Sequence, residues 1–162
     1  MYRKIYRVLV ATSLLVLTLI SRSTAQESAT GDQQWKSQCK ETRCSLSVAL
    51  VDSKTKKHFA TLAFLFEKGK EEPAVVVTTP LGIALEPGVR VIVGDDSLDL
   101  KARVCFPDGC QASLVVDRPD FDRIAKMPSA RIQFFPFSSA TPIEASVPLT
   151  GLTAAVDALP LN

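Results

Sequence analysis

Histidine is all but missing from this chain: His58 is the only one in 162 residues. Acid–base chemistry at neutral pH usually recruits histidine, or a carboxylate whose pKa its neighbours have moved. A Ser-His-Asp arrangement would have to run through His58, and no G-x-S-x-G elbow accompanies it. No glycine-rich phosphate loop is present, since Leu81-Gly82 and Pro87-Gly88 stand alone. No C-x2-C pair with histidines marks a zinc knuckle. Gly94-Asp95-Asp96-Ser97-Leu98-Asp99 concentrates acids but lacks the D-x-[DN]-x-[DN]-G order of a calcium loop, so it reads as an acidic hairpin tip. Asp95, Asp96, Asp99 and Asp108 are left as carboxylates for a hydrolase, all in predicted turns. No catalytic, metal-binding or cofactor-binding residue is assigned from these patterns, and no cofactor is expected.

A long apolar run is also lacking. The longest near the start, Val8 to Ile20, has 13 residues, short of the roughly 20 that cross a bilayer. It follows a basic opening with Arg3, Lys4 and Arg7, and precedes Ser23-Thr24-Ala25. A basic start, a short apolar stretch and a small-residue exit describe a secretory signal peptide over residues 1–25. Cleavage after Ala25 leaves no stable membrane span and 137 of the 162 residues, enough for one domain with one core. The leader carries four of the 19 basic residues (Arg3, Lys4, Arg7, Arg22) and no acid. Fifteen cations then face 17 acids, so the mature charge is −2. With no block of like charge, neither nucleic acid nor an anionic membrane is an expected partner.

What is present is cysteine, in two equally spaced pairs: Cys39-Lys-Glu-Thr-Arg-Cys44 and Cys105-Phe-Pro-Asp-Gly-Cys110. An exported domain favours disulfides, and a thioredoxin-like site would need two intervening residues rather than four. Cys39, Cys44, Cys105 and Cys110 are therefore expected as structural staples. Four cysteines allow three pairings. Local bridges 39–44 and 105–110 are the simplest, with cross-pairing between the motifs as the alternative. Against local pairing, Pro107-Asp108-Gly109 suits a three-residue hairpin loop. That register aligns Leu100, Ala102 and Val104 with Val116, Leu114 and Ala112 but sends the two cysteines to opposite faces. A four-residue loop brings the cysteines to one face and mixes polar with apolar neighbours.

The remainder reads mostly as strand. Residues 26–34 are a flexible lead-in, and 35–162 a single domain. Leu46, Val48 and Leu50 alternate with Ser45, Ser47 and Ala49 as a half-buried strand does. Lys54-Thr55-Lys56-Lys57 is a turn tip. His58 to Glu67 is apolar in both phases and predicts a central strand with both faces buried, His58 lying at its rim. A β-branched run, Ala74 to Thr79, gives the next strand. Pro87-Gly88 predicts a turn between two short strands. Leu98, Leu100, Ala102 and Val104 form the clearest amphipathic strand. Asp117 to Met127 predicts a short helix, about 118–126, with Asp117 or Arg118 as cap and Pro119 in its first turn. Pro136 implies an edge or bulge beside the core aromatics Phe134, Phe135 and Phe137. Ile143, Ala145, Val147 and Leu149 share one phase, and 151–159 forms a second short helix. The fold class is all-β, an antiparallel sandwich or barrel-like single domain.

Trp35-x3-Cys39, Thr79-Pro80-Leu81-Gly82, Pro87-Gly88-Val89, Cys105-x2-Asp108-Gly109-Cys110 and the Gly151 tail occur in that order. This set resembles the invasion-associated locus B family, exported proteins of alphaproteobacteria, over essentially the whole mature chain. The spacer between Cys39 and Cys44 is shorter than is usual in that family, and Ser45-Leu46-Ser47 replaces a polar segment. The resemblance implies a link to host-cell invasion and brings no catalytic residue with it. Together these readings describe a periplasmic or secreted, surface-directed binding module for a protein partner in the envelope or on a host cell. A structural envelope protein and a carboxylate-based hydrolase are the alternatives. Intact-mass analysis of material from the native host should find a chain starting at Gln26 that takes up no thiol alkylator without reductant. A retained leader with reactive thiols is the contrary result.

Overall fold

Cys44, Leu46, Val48 and Leu50 recur at every second position and are all buried, while Ser45, Ser47 and Ala49 face the other way. That period of two sets the inner and outer faces of the whole molecule. The structure is a computed structural model and describes residues 35–51 and 58–161. The leader, the 26–34 lead-in and the Lys54–Lys57 turn lie outside the described residues.

The elements in chain order are β1 (Lys36–Lys40), β2 (Arg43–Val51), β3 (His58–Glu67), β4 (Ala74–Thr79), β5 (Val89–Val93), β6 (Asp96–Phe106), β7 (Gly109–Val115), α1 (Arg118–Ala125), β8 (Ser129–Phe134), β9 (Ile143–Pro148) and α2 (Leu152–Asp157). The strands form one antiparallel sheet in the order β1-β2-β3-β4-β7-β6-β5-β8-β9. Strand β6 serves two neighbours in turn. Residues 96–100 pair with β5, and residues from Lys101 onward pair with β7. The sheet turns a corner there and curls until β9 approaches β2, making a half-barrel. The described residues belong to one compact unit.

The concave side holds the core. Leu46, Leu62, Phe64, Val75, Val77, Leu100, Ile132 and Leu152 are at most 1 % exposed. Burying a side chain of this kind is worth roughly 1.5–3 kcal/mol. Helix α1 closes one end. The Asp120 backbone N–H donates to Asp117 Oδ1 at 2.8 Å, so Asp117 is the cap, with Pro119 in the first turn. This start turns Phe121 inward, where its ring meets Phe64 at 5.2 Å and Phe66 at 5.4 Å, edge to face. Helix α2 follows Gly151, and the Thr153 hydroxyl donates to the Ala125 carbonyl. Both helices lie on the core side, so neither covers the convex face.

The hairpin β6–β7 corrects the predicted three-residue loop. Phe106 pairs with Gly109 and Cys105 with Cys110, leaving Pro107-Asp108 as a two-residue turn. The apolar register is recovered two residues on, because Arg103 bulges out and Ala102 then faces Ala112. The hairpin β1–β2 repeats the pattern. Lys40 pairs with Arg43 and Cys39 with Cys44, around Glu41-Thr42. Disulfides join Cys39 to Cys44 and Cys105 to Cys110, with Cα separations of 4.0 and 3.9 Å. Each ties an exposed half-cystine to a buried one, Cys44 or Cys110.

Other expectations change. Strand β3 is interior to the sheet but buries only one phase, since Thr61, Ala63 and Leu65 lie on the open convex face. Only an isolated bridge from Ile83 to Pro136 precedes the Pro87-Gly88 turn, where a short strand was predicted. Pro136 marks neither an edge nor a bulge, because β8 lies between β5 and β9 and ends at Phe134. Past that end Phe135 is half-buried and Phe137 is 82 % exposed, so of these three only Phe134 belongs to the buried core. Val104 is 42 % exposed because the bulge at Arg103 reverses its phase.

Replacing Cys105 and Cys110 together by alanine should cost about 2 kcal/mol in urea unfolding, the loop entropy of so short a closure. A Cβ on Gly109, at φ +151°, would overlap the Thr79 carbonyl oxygen of β4. Gly109→Ala should therefore cost more than about 1 kcal/mol in the same assay.

Candidate binding face

The residues singled out from sequence do not converge. Among the described residues no cysteine is free, so no thiol nucleophile is available there. His58 is exposed at the start of β3, and its Nε2 lies 2.8 Å from Thr61 Oγ1. Asp96 forms an ion pair with Arg123, and Asp99 holds Arg90 Nε at 2.7 Å. Asp108 sits at the far tip of β6, roughly 34 Å of extended strand from Asp96. Among the described residues no three His, Cys, Asp or Glu side chains come together as a metal site.

What the topology does assemble is the convex face of β2, β3, β4 and β7. The registers stack three rows across these four strands. One runs Ser45, Leu65, Ala74, Val115. The next is Ser47, Ala63, Val76, Ser113, and the third is Ala49, Thr61, Thr78, Gln111. None of these twelve side chains is charged, and none is aromatic. A solvent-facing sheet surface ordinarily alternates apolar-in with polar and charged-out. Here small Ser, Ala, Thr and Val occupy the outer phase, with Leu65 43 % and Val115 60 % exposed.

Charge appears only at the border. The middle row ends on Lys36 of β1 and on Lys101 of β6. Lys40 and Arg43 pair across β1 and β2 at one end, and the bulged Arg103 lies on the β6 side. At the Lys40 end the face deepens into a groove of about 970 Å³. Leu65, Ala74 and Val115 are among its apolar lining residues, and its charged ones are Lys40, Arg43 and Lys70 with Glu67, Glu71 and Glu72. Lys70 Nζ lies 2.9 Å from the Glu67 carboxylate and Arg43 Nη2 3.6 Å from it. The hydrogen bond from Lys70 is the largest influence and holds the Glu67 carboxyl below its ordinary pKa, with Arg43 reinforcing it.

Comparison with known proteins fits this architecture to a family. The model of the family described as invasion associated locus B (IalB) protein matches residues 25–160. The chain belongs to this family. A crystal structure of invasion associated protein B from Bartonella henselae superposes with a TM-score of 0.66 and 19 % identity. The match covers 76 % of this chain and 89 % of that one. At such identity the likeness establishes the fold. No curated protein matches the chain. The IalB family is not a known enzyme family. Among the described residues, no helix of this IalB-family protein is long and apolar enough to cross a membrane.

Sequence reading passed over the face because its residues come from four strands not all adjacent in the chain. The available signal was the outer phase itself, small and uncharged in one strand after another. Lys70→Met should raise the Glu67 titration midpoint, followed by carbon-detected NMR, toward the ordinary carboxylate value. Because the folded pKa is depressed, the pair stabilises fully above the unfolded value and loses that contribution as pH falls through the lowered one. The melting temperatures of the parent and Lys70→Met should therefore converge in acid.

Proposed function

We propose that this IalB-family protein is exported and acts in the periplasm or at the cell surface by binding a protein partner. Its two disulfides suit an oxidising compartment, and its family supports export. The observation that carries the reading is the convex face, an uncharged surface spanning four strands that no described element covers. A free sheet surface in water gains solubility from charge on its outer phase. A surface that forgoes charge at its centre and keeps it at its border has the composition of a recognition interface. Host-cell invasion is one setting for such a contact, on the strength of the family's description.

Chemical crosslinking in intact cells of the native organism should capture one defined envelope or host-surface protein. Nonspecific adducts alone, together with turnover of a small ester or peptide by the pure protein, would overturn the reading in favour of a hydrolase.

A further inference from the structure

Many cations of this chain hold a carboxylate, including Arg43 and Lys70, which share Glu67 at the groove end of the convex face. Away from the convex face, Arg90, Arg118, Arg123 and Arg131 each hold a carboxylate of the same chain. Around the face, Lys36, Lys40, Lys101 and Arg103 hold none among the described residues, and Lys126 is the other cation in that condition. Lys36 and Lys101 bound one row at its two ends, five strand spacings or about 24 Å apart. Lys40 stands on a third side, where Arg43 and Lys70 hold Glu67 and where Glu71 and Glu72 also line the groove. Unpaired cations on three sides thus border an uncharged floor, with acids gathered only at the groove end.

Resting on the binding reading above, we propose that the convex face of β2, β3, β4 and β7 docks a protein whose contact patch has an uncharged centre and an acidic rim. The border favours this occupant over others. A linear polyanion is tracked by a basic groove, and single-stranded nucleic acid adds aromatic stacking; this floor has no aromatic side chain and its cations sit on opposite sides. Interfacial membrane binding needs large apolar side chains to insert, whereas Ser, Ala and Thr dominate here. A second copy laid face to face would set like charges against each other, at a cost of affinity. An acidic rim on the partner satisfies Lys36, Lys40, Lys101 and Arg103 together, and the small side chains of the floor let two backbones approach closely.

The test places a photoreactive benzoylphenylalanine at Ser47, in the middle row, and separately at Ser146 on β9, in the full chain expressed in its native host. Irradiation should give one protein adduct from Ser47 and none from Ser146. The crosslinked partner peptide should lie within a surface rimmed by Asp and Glu. Reversing two border charges, Lys36→Glu with Lys101→Glu, should cut the adduct about tenfold, equivalent to about 1.4 kcal/mol. Both lysines are exposed, and an unchanged melting curve checks the fold. An adduct from Ser146 alone overturns this face while the binding reading stands, and adducts from neither position overturn both. Four further outcomes also overturn the acidic partner. They are a Ser47 adduct to a second copy, one to residues 26–34 of the same chain, one indifferent to the charge reversal, and retention on phosphatidylglycerol vesicles with no protein adduct.

Discussion

One strand has to satisfy two neighbours at once. Strand β6 gives its first half to β5 and its second to β7, and a regular alternation cannot serve both partners and the cysteine pair. Leu98, Leu100 and Ala102 need one phase for the core, and Cys105 needs the other count to meet Cys110. The unpaired Arg103 between them absorbs the mismatch. The corner in the sheet comes where β6 changes partner, between Leu100 and Lys101, and the outward turn of Val104 follows from that extra residue. So does the position of Lys101 at the border of the convex face.

Burial and electrostatics then divide the molecule. The concave side is a continuous apolar core with α1 and α2 closing it, and most ion pairs decorate the β5–β6, α1 and β8–β9 region. Such exposed pairs contribute little each, about 0–1 kcal/mol, so they leave the fold to the core. The convex side is the reverse, uncharged in the middle, with the unpaired Lys36, Lys40, Lys101 and Arg103 at its margin and acids only at the groove end. A net charge near zero conceals this segregation, which is why composition argued against anionic partners while the folded chain presents a local basic border.

Much of the fold was legible because local physics agreed with tertiary context. The alternation in β2 placed its buried residues, and Asp117 with Pro119 marked the start of α1. The equal spacing of the cysteine pairs reflects equal hairpins: in each, one cross-strand pair and a two-residue turn separate the half-cystines. The β6–β7 register was not legible, because turn preference favoured one count and the bridge another, and a bulge outside the turn let both the bridge and the apolar face be satisfied. Phe137 misled because its neighbour Phe134 is core, whereas β8 ends at Phe134 and Phe137 lies three residues beyond it. Strand β3 misled because Ala63 and Leu65 look like core residues, whereas the sheet leaves that side open. The binding face was hidden for a related reason: Ser, Ala and Thr give weak signals singly, and their meaning comes from the cross-strand rows.

Each half-cystine finds its partner only five residues away in sequence. Closing so short a loop costs less chain entropy than joining sulfurs from different pairs, roughly 60 residues or more apart. In an oxidising solution each sulfur of the unfolded chain therefore meets its native partner before a foreign one. Correct connectivity thus follows from nearness along the chain.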